Sequence, residues 1–377
     1  MPRTSALLLL TVLLLSGIGI AMLASTGEAP ATVLKLPPNH FLVQQLKWLA
    51  LALTVGAVAA AVDFHVYRRL ALPMIGFAIV LLWYTALFAD AVKGSRRWLY
   101  VRGISLQPSE FAKLAVVVFL AAWFRFAQPF VRKFWRGLLV PGLVCGLLLL
   151  SLFKAPDFGA MILLGLVIYA VLFVAGIRLL HWIWLGLAGG ILVSVAIWLR
   201  PDKMARVVSF WEYEKYSRTL SYQLVCSLQA FVAGGFTGLG FGQSLEKRLH
   251  LPEAHTDFIF SILGEEFGLV GTLTVLALFA ALTLCGFSIA RRAPDVFGRL
   301  LAYGITFSLA LQALINIGVV TASLPTTGLA LPFISYGGTN LLVNYAMVGI
   351  LLNIARHVES PRPDDHASLL KNRVQEI

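Results

Sequence analysis

His255 and Asp257 are the residues of this chain best suited to do chemistry. They lie in the stretch Leu251-Pro252-Glu253-Ala254-His255-Thr256-Asp257-Phe258-Ile259-Phe260. It closes a polar region, Arg200–Thr256, and opens an apolar run long enough to cross a membrane. Asp257 therefore sits at a water–lipid boundary, wet enough to ionise and close enough to hydrocarbon to meet a lipid-borne substrate. A carboxylate in that place suits general-base work, taking a proton from an attacking hydroxyl. Transfer of a sugar from a lipid carrier is one reaction that needs such a group. The competing role is a helix cap, worth about 1 kcal/mol. Residue types alone leave cap and base equally open, and no close cation is expected beside Asp257.

Other polar residues stand out because their surroundings are apolar. The loop Asp90–Gln107 carries Lys93, Arg96, Arg97 and Arg102 against Asp90 alone. Guanidinium groups bind phosphate through paired, charge-assisted hydrogen bonds, so an anionic ligand or a lipid headgroup is expected there. Glu110 and Lys113 are three residues apart on one helix face, and Lys113 falls at membrane depth. They make either a self-contained ion pair or part of a binding site. Lys154 and Asp157 flank the Ala155-Pro156 turn, where a snorkelling lysine is the plainer role. Glu265 and Glu266 lie about two turns beyond Asp257 and point about 100° apart, so at least one must find a partner on another element. The glycine series Gly234-Gly235-Phe236-Thr237-Gly238-Leu239-Gly240-Phe241-Gly242 lacks the Lys-Ser/Thr ending of a phosphate loop and suits close backbone packing.

The elements that hold these residues are membrane helices. Of the 377 residues, 59% are hydrophobic and only 13% are charged, and mean hydropathy is +0.84. Soluble domains carry about a quarter charged residues, so the chain is an integral membrane protein. Apolar runs predict ten spans at 5–25, 41–62, 70–89, 108–126, 137–153, 157–175, 178–199, 259–289, 299–323 and 333–356. The first run, Ala6 to Ala24, reads as a span rather than a cleaved signal peptide. The fold class is thus all-α and polytopic, one domain over 1–358 with a polar cytoplasmic tail at 359–377. Within the long region between the seventh and eighth spans, Tyr222 to Val232 reads as a short helix or re-entrant piece.

Basic connections at Arg68 and Arg69, at Arg125, Arg132, Lys133 and Arg136, and at Arg291, Arg292 and Arg299 set the orientation. The positive-inside bias puts them and both termini in the cytoplasm, and the long region outside. The net charge of +12 then reflects loops facing anionic lipid rather than nucleic acid. Cys145, Cys226 and Cys285 show no metal-ligand spacing.

Several of these stretches, in order, resemble the motifs of the SEDS family (shape, elongation, division and sporulation). They are Gly94-Ser95-Arg96-Arg97-Trp98 with Gln107-Pro108-Ser109-Glu110, Ala155-Pro156-Asp157-Phe158-Gly159, the 251–260 stretch with Gly264-Glu265-Glu266-Phe267-Gly268, and Pro332-Phe333-Ile334-Ser335-Tyr336-Gly337-Gly338. The resemblance runs from the first span to Arg356. The Pro-Glu-Ala-His and Pro-Phe-Ile-Ser-Tyr-Gly-Gly forms are more similar to the division-type FtsW branch than to the RodA branch.

The resemblance implies a ten-helix peptidoglycan glycosyltransferase in the bacterial inner membrane, with its active site on the periplasmic face. Its substrate would be lipid II, the undecaprenyl-pyrophosphate disaccharide pentapeptide, joined with inversion into β-1,4 glycan during cell division. The family's essential aspartate falls on Asp257. Arg96, Arg97, Arg102 and Lys154, with Lys113 deeper, are then candidates to hold the pyrophosphate. Glu110, His255, Glu265 and Ser335 complete the candidate substrate-binding set. A divalent cation, Mg or Mn, is compatible with this chemistry, although the carboxylates carry no metal signature. The implied partners are a class B penicillin-binding transpeptidase and other divisome membrane proteins. A lipid II flippase is the rival reading; it needs the cationic cavity but no base, and should show inverted repeats, of which none is clear. A scaffold for the transpeptidase would leave the polar residues without a use.

Overall fold

The computed structural model describes residues 3–33, 35–91, 95–101, 104–216, 219, 221–249 and 251–359. Lys93, Arg102 and the tail beyond residue 359 lie outside the described residues. In hydrocarbon every backbone N–H and C=O must be satisfied within the protein, so long apolar runs become helices. They do so here as α1 (Arg3–Thr26), α3 (His40–Ala61), α4 (His65–Phe88), α6 (Val140–Lys154), α7 (Phe158–Ala175), α8 (Leu179–Trp198), α12 (Ile259–Arg292), α13 (Val296–Val320) and α14 (Gly338–Glu359). Among the described residues these nine are long and apolar enough to span, with α6 preceded by a π-helical turn from Phe134.

The remaining expected span, 108–126, is α5 (Pro108–Phe126), which carries three charged residues, Glu110, Lys113 and Arg125. Pro108 opens it and Glu110 lies in the first turn, where the helix dipole favours a carboxylate. It packs among α4, α7 and α13 with nearly every residue from Pro108 to Ala121 buried. A charged helix at the centre of a bundle requires internal pairing, and it has it. Lys113 Nζ lies 2.6 Å from Glu110 Oε2, with the two side chains 2% and 7% exposed. Lys113 also donates to Gln312 Oε1, and Gln312 Nε2 donates to Ala330 O (2.8 Å) and Asn340 Oδ1 (3.2 Å).

Three expectations change. The tenth span starts at Gly338 rather than 333, because Ser335 and Tyr336 are spent on a turn bonded to Leu331, Thr256 and His255. The loop after α4 contains a small hairpin, β1 (Leu99–Val101) against β2 (Ile104–Leu106), antiparallel with Tyr100 opposite Ser105. The long polar region is substantially helical: α9 (Pro201–Trp211), α10 (Tyr222–Gly234) and the short α11 (Glu246–Leu249) lie within it. Only α10 was expected. A short α2 (Glu28–Val33) follows α1.

The glycine series after α10 plugs a break in α12. Gly268 has φ 64° and ψ −157°, so the helix ladder is interrupted there. The groups this releases are taken up by the loop: Leu239 N–H donates to Glu265 O (2.9 Å), Gly240 N–H to Glu266 O (3.0 Å), and Leu269 N–H to Gly235 O (2.9 Å). A Cβ on Gly268 would lie 2.5 Å from both Gly238 N and Phe236 O, so no larger residue fits.

The two ends of the bundle differ in charge. At one end Phe41, near the start of α3, packs on His255 with ring centroids 4.7 Å apart. At the other, beyond the end of α3, Asp63 meets His65 (2.7 Å), and Asp295 meets His65 (3.5 Å) and Arg125 (3.7 Å). Burial works to raise the Asp63 and Asp295 carboxyls, but hydrogen bonds and charge, chiefly from His65, outweigh it and hold both below the usual range. Arg68, Arg69, Arg291, Arg292 and Arg299 flank this second end.

Removing one partner of the Glu110–Lys113 pair strands a buried charge. Lys113→Met should lower stability by about 3–5 kcal/mol, and adding Glu110→Gln should recover most of it. Thermal unfolding in detergent measures both, and a single variant as stable as wild type contradicts the pairing.

Candidate active site

The segment 251–258 is a series of turns with no helix ladder of its own, so other elements must hold it. Ala254 and Phe258 are buried and anchor it in the core. Its next three carbonyls are then bound in succession. Tyr336 N–H donates to His255 O (3.0 Å), the Ser335 hydroxyl to Thr256 O (2.6 Å), and Asn316 Nδ2 to Asp257 O (2.8 Å). With the backbone pinned, the Asp257 side chain is directed to one place while remaining partly exposed. The N-cap of α12 is Phe258, and no side-chain hydrogen bond caps the helix there.

The facing wall comes from two other stretches. Gly328, with φ +75°, lies where a Cβ would be 3.4 Å from Arg97 Nη1 and 3.5 Å from Asp257 Oδ2. Carboxylate and guanidinium therefore face each other across that glycine, no farther apart than the sum of those distances. The expectation of no close cation was wrong, because Arg97 arrives from a loop distant in sequence. Ser95 fixes that loop by donating to Ala155 O (2.9 Å). Asp157 caps α7 through Ala160 N–H (3.3 Å) and accepts from Ser109 Oγ (3.2 Å), which joins the 155–157 turn to the start of α5. Arg96, Arg97, Ser109, Ala155 and Asp157 line one cleft. Arg97 Nε, and Thr327 Oγ1 on the residue before Gly328, are buried without a hydrogen-bond partner among the described residues. Buried polar atoms left in that state await water or a ligand.

The remaining predicted residues divide by place. Arg96 is exposed and donates to Leu87 O (3.1 Å); Lys154 is exposed at the end of α6, one residue before Ala155 in the cleft. His255 packs its ring against Phe41 and Tyr336, and the same Tyr336 binds its carbonyl. Ser335 is 2% exposed, and its hydroxyl also accepts from Leu331 N–H (2.8 Å), so it braces the segment from inside. Glu110 and Lys113 form the core pair described above. Both adjacent glutamates find partners. Glu265 accepts from Ser244 Oγ and from Leu245 N–H (2.9 Å), and Glu266 pairs with Lys247 Nζ (2.6 Å) and Ser25 Oγ (2.5 Å). They bind the loop before α11 to α12 and α1. Arg102 lies outside the described residues. Among the described residues no group of three or more His, Cys, Asp or Glu is placed to hold a metal ion.

Sequence reasoning passed over Gln312, Asn316, Thr327 and Gly328. The amides at 312 and 316 are one turn apart inside an otherwise apolar span, which is itself a signal that they face polar business within the protein.

Comparison with known proteins identifies the family and the fold. The family model FtsW/RodA/SpoVE, described as "Cell cycle protein", matches residues 5–360. A protein of Coxiella burnetii named "Probable peptidoglycan glycosyltransferase FtsW" is 39% identical over 94% of this chain and 97% of its own length. One of Trichlorobacter lovleyi with the same name is 37% identical over 92% of each. A solved structure titled "Structural coordination of polymerization and crosslinking by a peptidoglycan synthase complex" superposes with TM-score 0.79 at 27% identity, covering 93% of this chain and 97% of that one. The rod shape determining protein RodA of Thermus thermophilus superposes with TM-score 0.70 at 25% identity, over 93% and 96%. The chain belongs to the FtsW/RodA/SpoVE family of polytopic membrane proteins.

Proposed function

We propose that this protein is a peptidoglycan glycosyltransferase that polymerises lipid II, with Asp257 as its general base. The observation that carries the reading is the Asp257 carboxylate facing the Arg97 guanidinium across Gly328, at one end of an apolar helix bundle. The relatives named as peptidoglycan glycosyltransferases support the reaction class. In the reaction, the 4-hydroxyl of the acceptor GlcNAc attacks C1 of the donor MurNAc while Asp257 takes the hydroxyl proton. The C1–O bond to pyrophosphate breaks, undecaprenyl pyrophosphate leaves with the bonding pair, and the α linkage becomes β-1,4. One base suffices for a single inverting displacement. Arg97, with Arg96 beside it, meets the charge on the leaving pyrophosphate. A Mg or Mn ion brought by the pyrophosphate would add to that charge.

In this reading the Asp257 end faces the periplasm. The arginine-flanked end at Asp63 and Asp295 faces the cytoplasm with both termini, as the positive-inside bias requires. The FtsW names of the relatives favour work in division, and the synthase-complex neighbour favours a class B penicillin-binding transpeptidase as partner. Against a flippase stands the packing below the site. Lys113, Gln312, Asn340 and Asn344 are all buried and bonded to one another, so no open polar path continues inward along them.

Asp257→Asn keeps the side-chain shape but cannot accept the proton. It should fold and bind lipid II yet lose polymerisation by about two to four orders of magnitude. Near-normal glycan synthesis by this variant ends the general-base assignment. Arg97→Ala should cost about a hundredfold in single-turnover rate through lost charge stabilisation; an unchanged rate would make Arg97 a headgroup contact. Gly328→Ala places a methyl between the two groups and strains a left-handed residue by about 1 kcal/mol. Its glycan synthesis should fall at least about tenfold while the protein stays folded, and a wild-type rate there contradicts the facing geometry.

A further inference from the structure

Asn316 joins the two walls of the site at Asp257 and at the residue next to Gly328. It lies on α13, 1% exposed, in the apolar run Ile315-Asn316-Ile317. One amide nitrogen serves both sides, with Nδ2 2.8 Å from Asp257 O and 2.7 Å from Leu329 O. Leu329 follows Gly328, the residue across which Asp257 faces Arg97. Ser335 also bridges the two walls, from Thr256 O to Leu331 N–H, but farther from Gly328. Tyr336 binds His255 alone, and Gln312, one turn before Asn316, binds Ala330 alone among the backbone groups of these walls. The Asp257 backbone and the backbone next to Gly328 are thus joined directly by one planar amide.

The rest of that amide points the same way. Asn316 Oδ1 is buried with no hydrogen-bond partner among the described residues. An unsatisfied buried acceptor opposes folding, so stability alone gives little reason for an asparagine in this span. What the side chain contributes is the NH2 group with its two fixed directions.

We propose that Asn316 is a positioning residue for the glycosyl transfer: it holds the Asp257 wall and the Gly328 wall at the separation the reaction needs. The inference rests on the glycosyltransferase reading above. Asn316 touches neither sugar nor pyrophosphate in this account and acts through the placement of Asp257. Displacing a reacting group by about 1 Å costs about a hundredfold in rate, whereas binding of a large lipid substrate depends on many other contacts.

The test uses the full-length purified chain, in detergent with lipid II, and two variants. Asn316→Ala leaves room for water between the two carbonyls, and Asn316→Leu keeps the branched shape while removing both the donor and the unsatisfied acceptor. Each is assayed for kcat, KM for lipid II, and thermal unfolding. The expected result is a fall in kcat of about 10- to 100-fold for both, with KM within about threefold of wild type and folded protein recovered. Wild-type kcat in either folded variant overturns the proposal. So does a rise in KM with kcat unchanged, or failure of both variants to fold, which would make Asn316 a folding residue. A wild-type chain that makes no glycan sinks the glycosyltransferase reading, and this inference with it. An active wild type with unaffected variants sinks the inference alone.

Discussion

A carboxylate and a guanidinium that both border the Cβ position of one glycine are the constraint on which the rest of this structure depends. Apolar helices pack well but do not aim polar groups, since dispersion and burial have no direction. Aiming is done by hydrogen bonds, and here they are concentrated where three non-helical stretches converge: 95–97, 255–257 and 327–331. Amides and hydroxyls from α13 and from the turn before α14 bind the backbone of two of these stretches. Ser95 ties the third to the 155–157 turn. Each of those donors is buried, so each bond is made without competition from water.

The same rule shapes the interior. Irregular backbone at membrane depth is tolerated only where protein groups satisfy it. At the break in α12 the glycine series after α10 supplies the missing N–H groups, and Glu265 and Glu266, just before the break, bind the loop that follows those glycines. The polar region leading to Asp257 is therefore clamped to the helix that Asp257 precedes. At the centre, Lys113 neutralises Glu110 and holds Gln312, which in turn holds Ala330. A charged pair in the core thus connects by hydrogen bonds to the wall that faces Arg97.

Much of this was legible in the residues. Span lengths followed from apolar runs because the membrane leaves helices as the only solution, and the span 108–126 was found despite its charges. The Glu110–Lys113 pair followed from i,i+3 spacing, and partners for the adjacent glutamates followed from the angle between them. What was not legible depended on long-range contact. Arg97 lies 160 positions before Asp257 in the chain, and nothing local shows that they meet. Residues 333–337 read as helix because they are apolar enough, yet their hydrogen-bonding groups are committed to 255, 256 and 331. The hairpin Leu99–Leu106 was overlooked although Leu-Tyr-Val and Ile-Ser-Leu flanking Arg-Gly carry a strand signal. Asn316 was overlooked because attention went to charges, while an amide in a membrane helix is nearly as informative.

The central claim is that this bundle carries out a reaction at Asp257 rather than moving a lipid past it. Detergent micelles separate the two, because they offer no second leaflet to move lipid toward. The most direct measurement is the release of undecaprenyl pyrophosphate from lipid II by the purified chain in micelles, alone and with a class B penicillin-binding transpeptidase. The account predicts one undecaprenyl pyrophosphate released for each disaccharide added, with β-1,4 glycan strands as the product. A folded chain that binds lipid II in either preparation and releases none would contradict it.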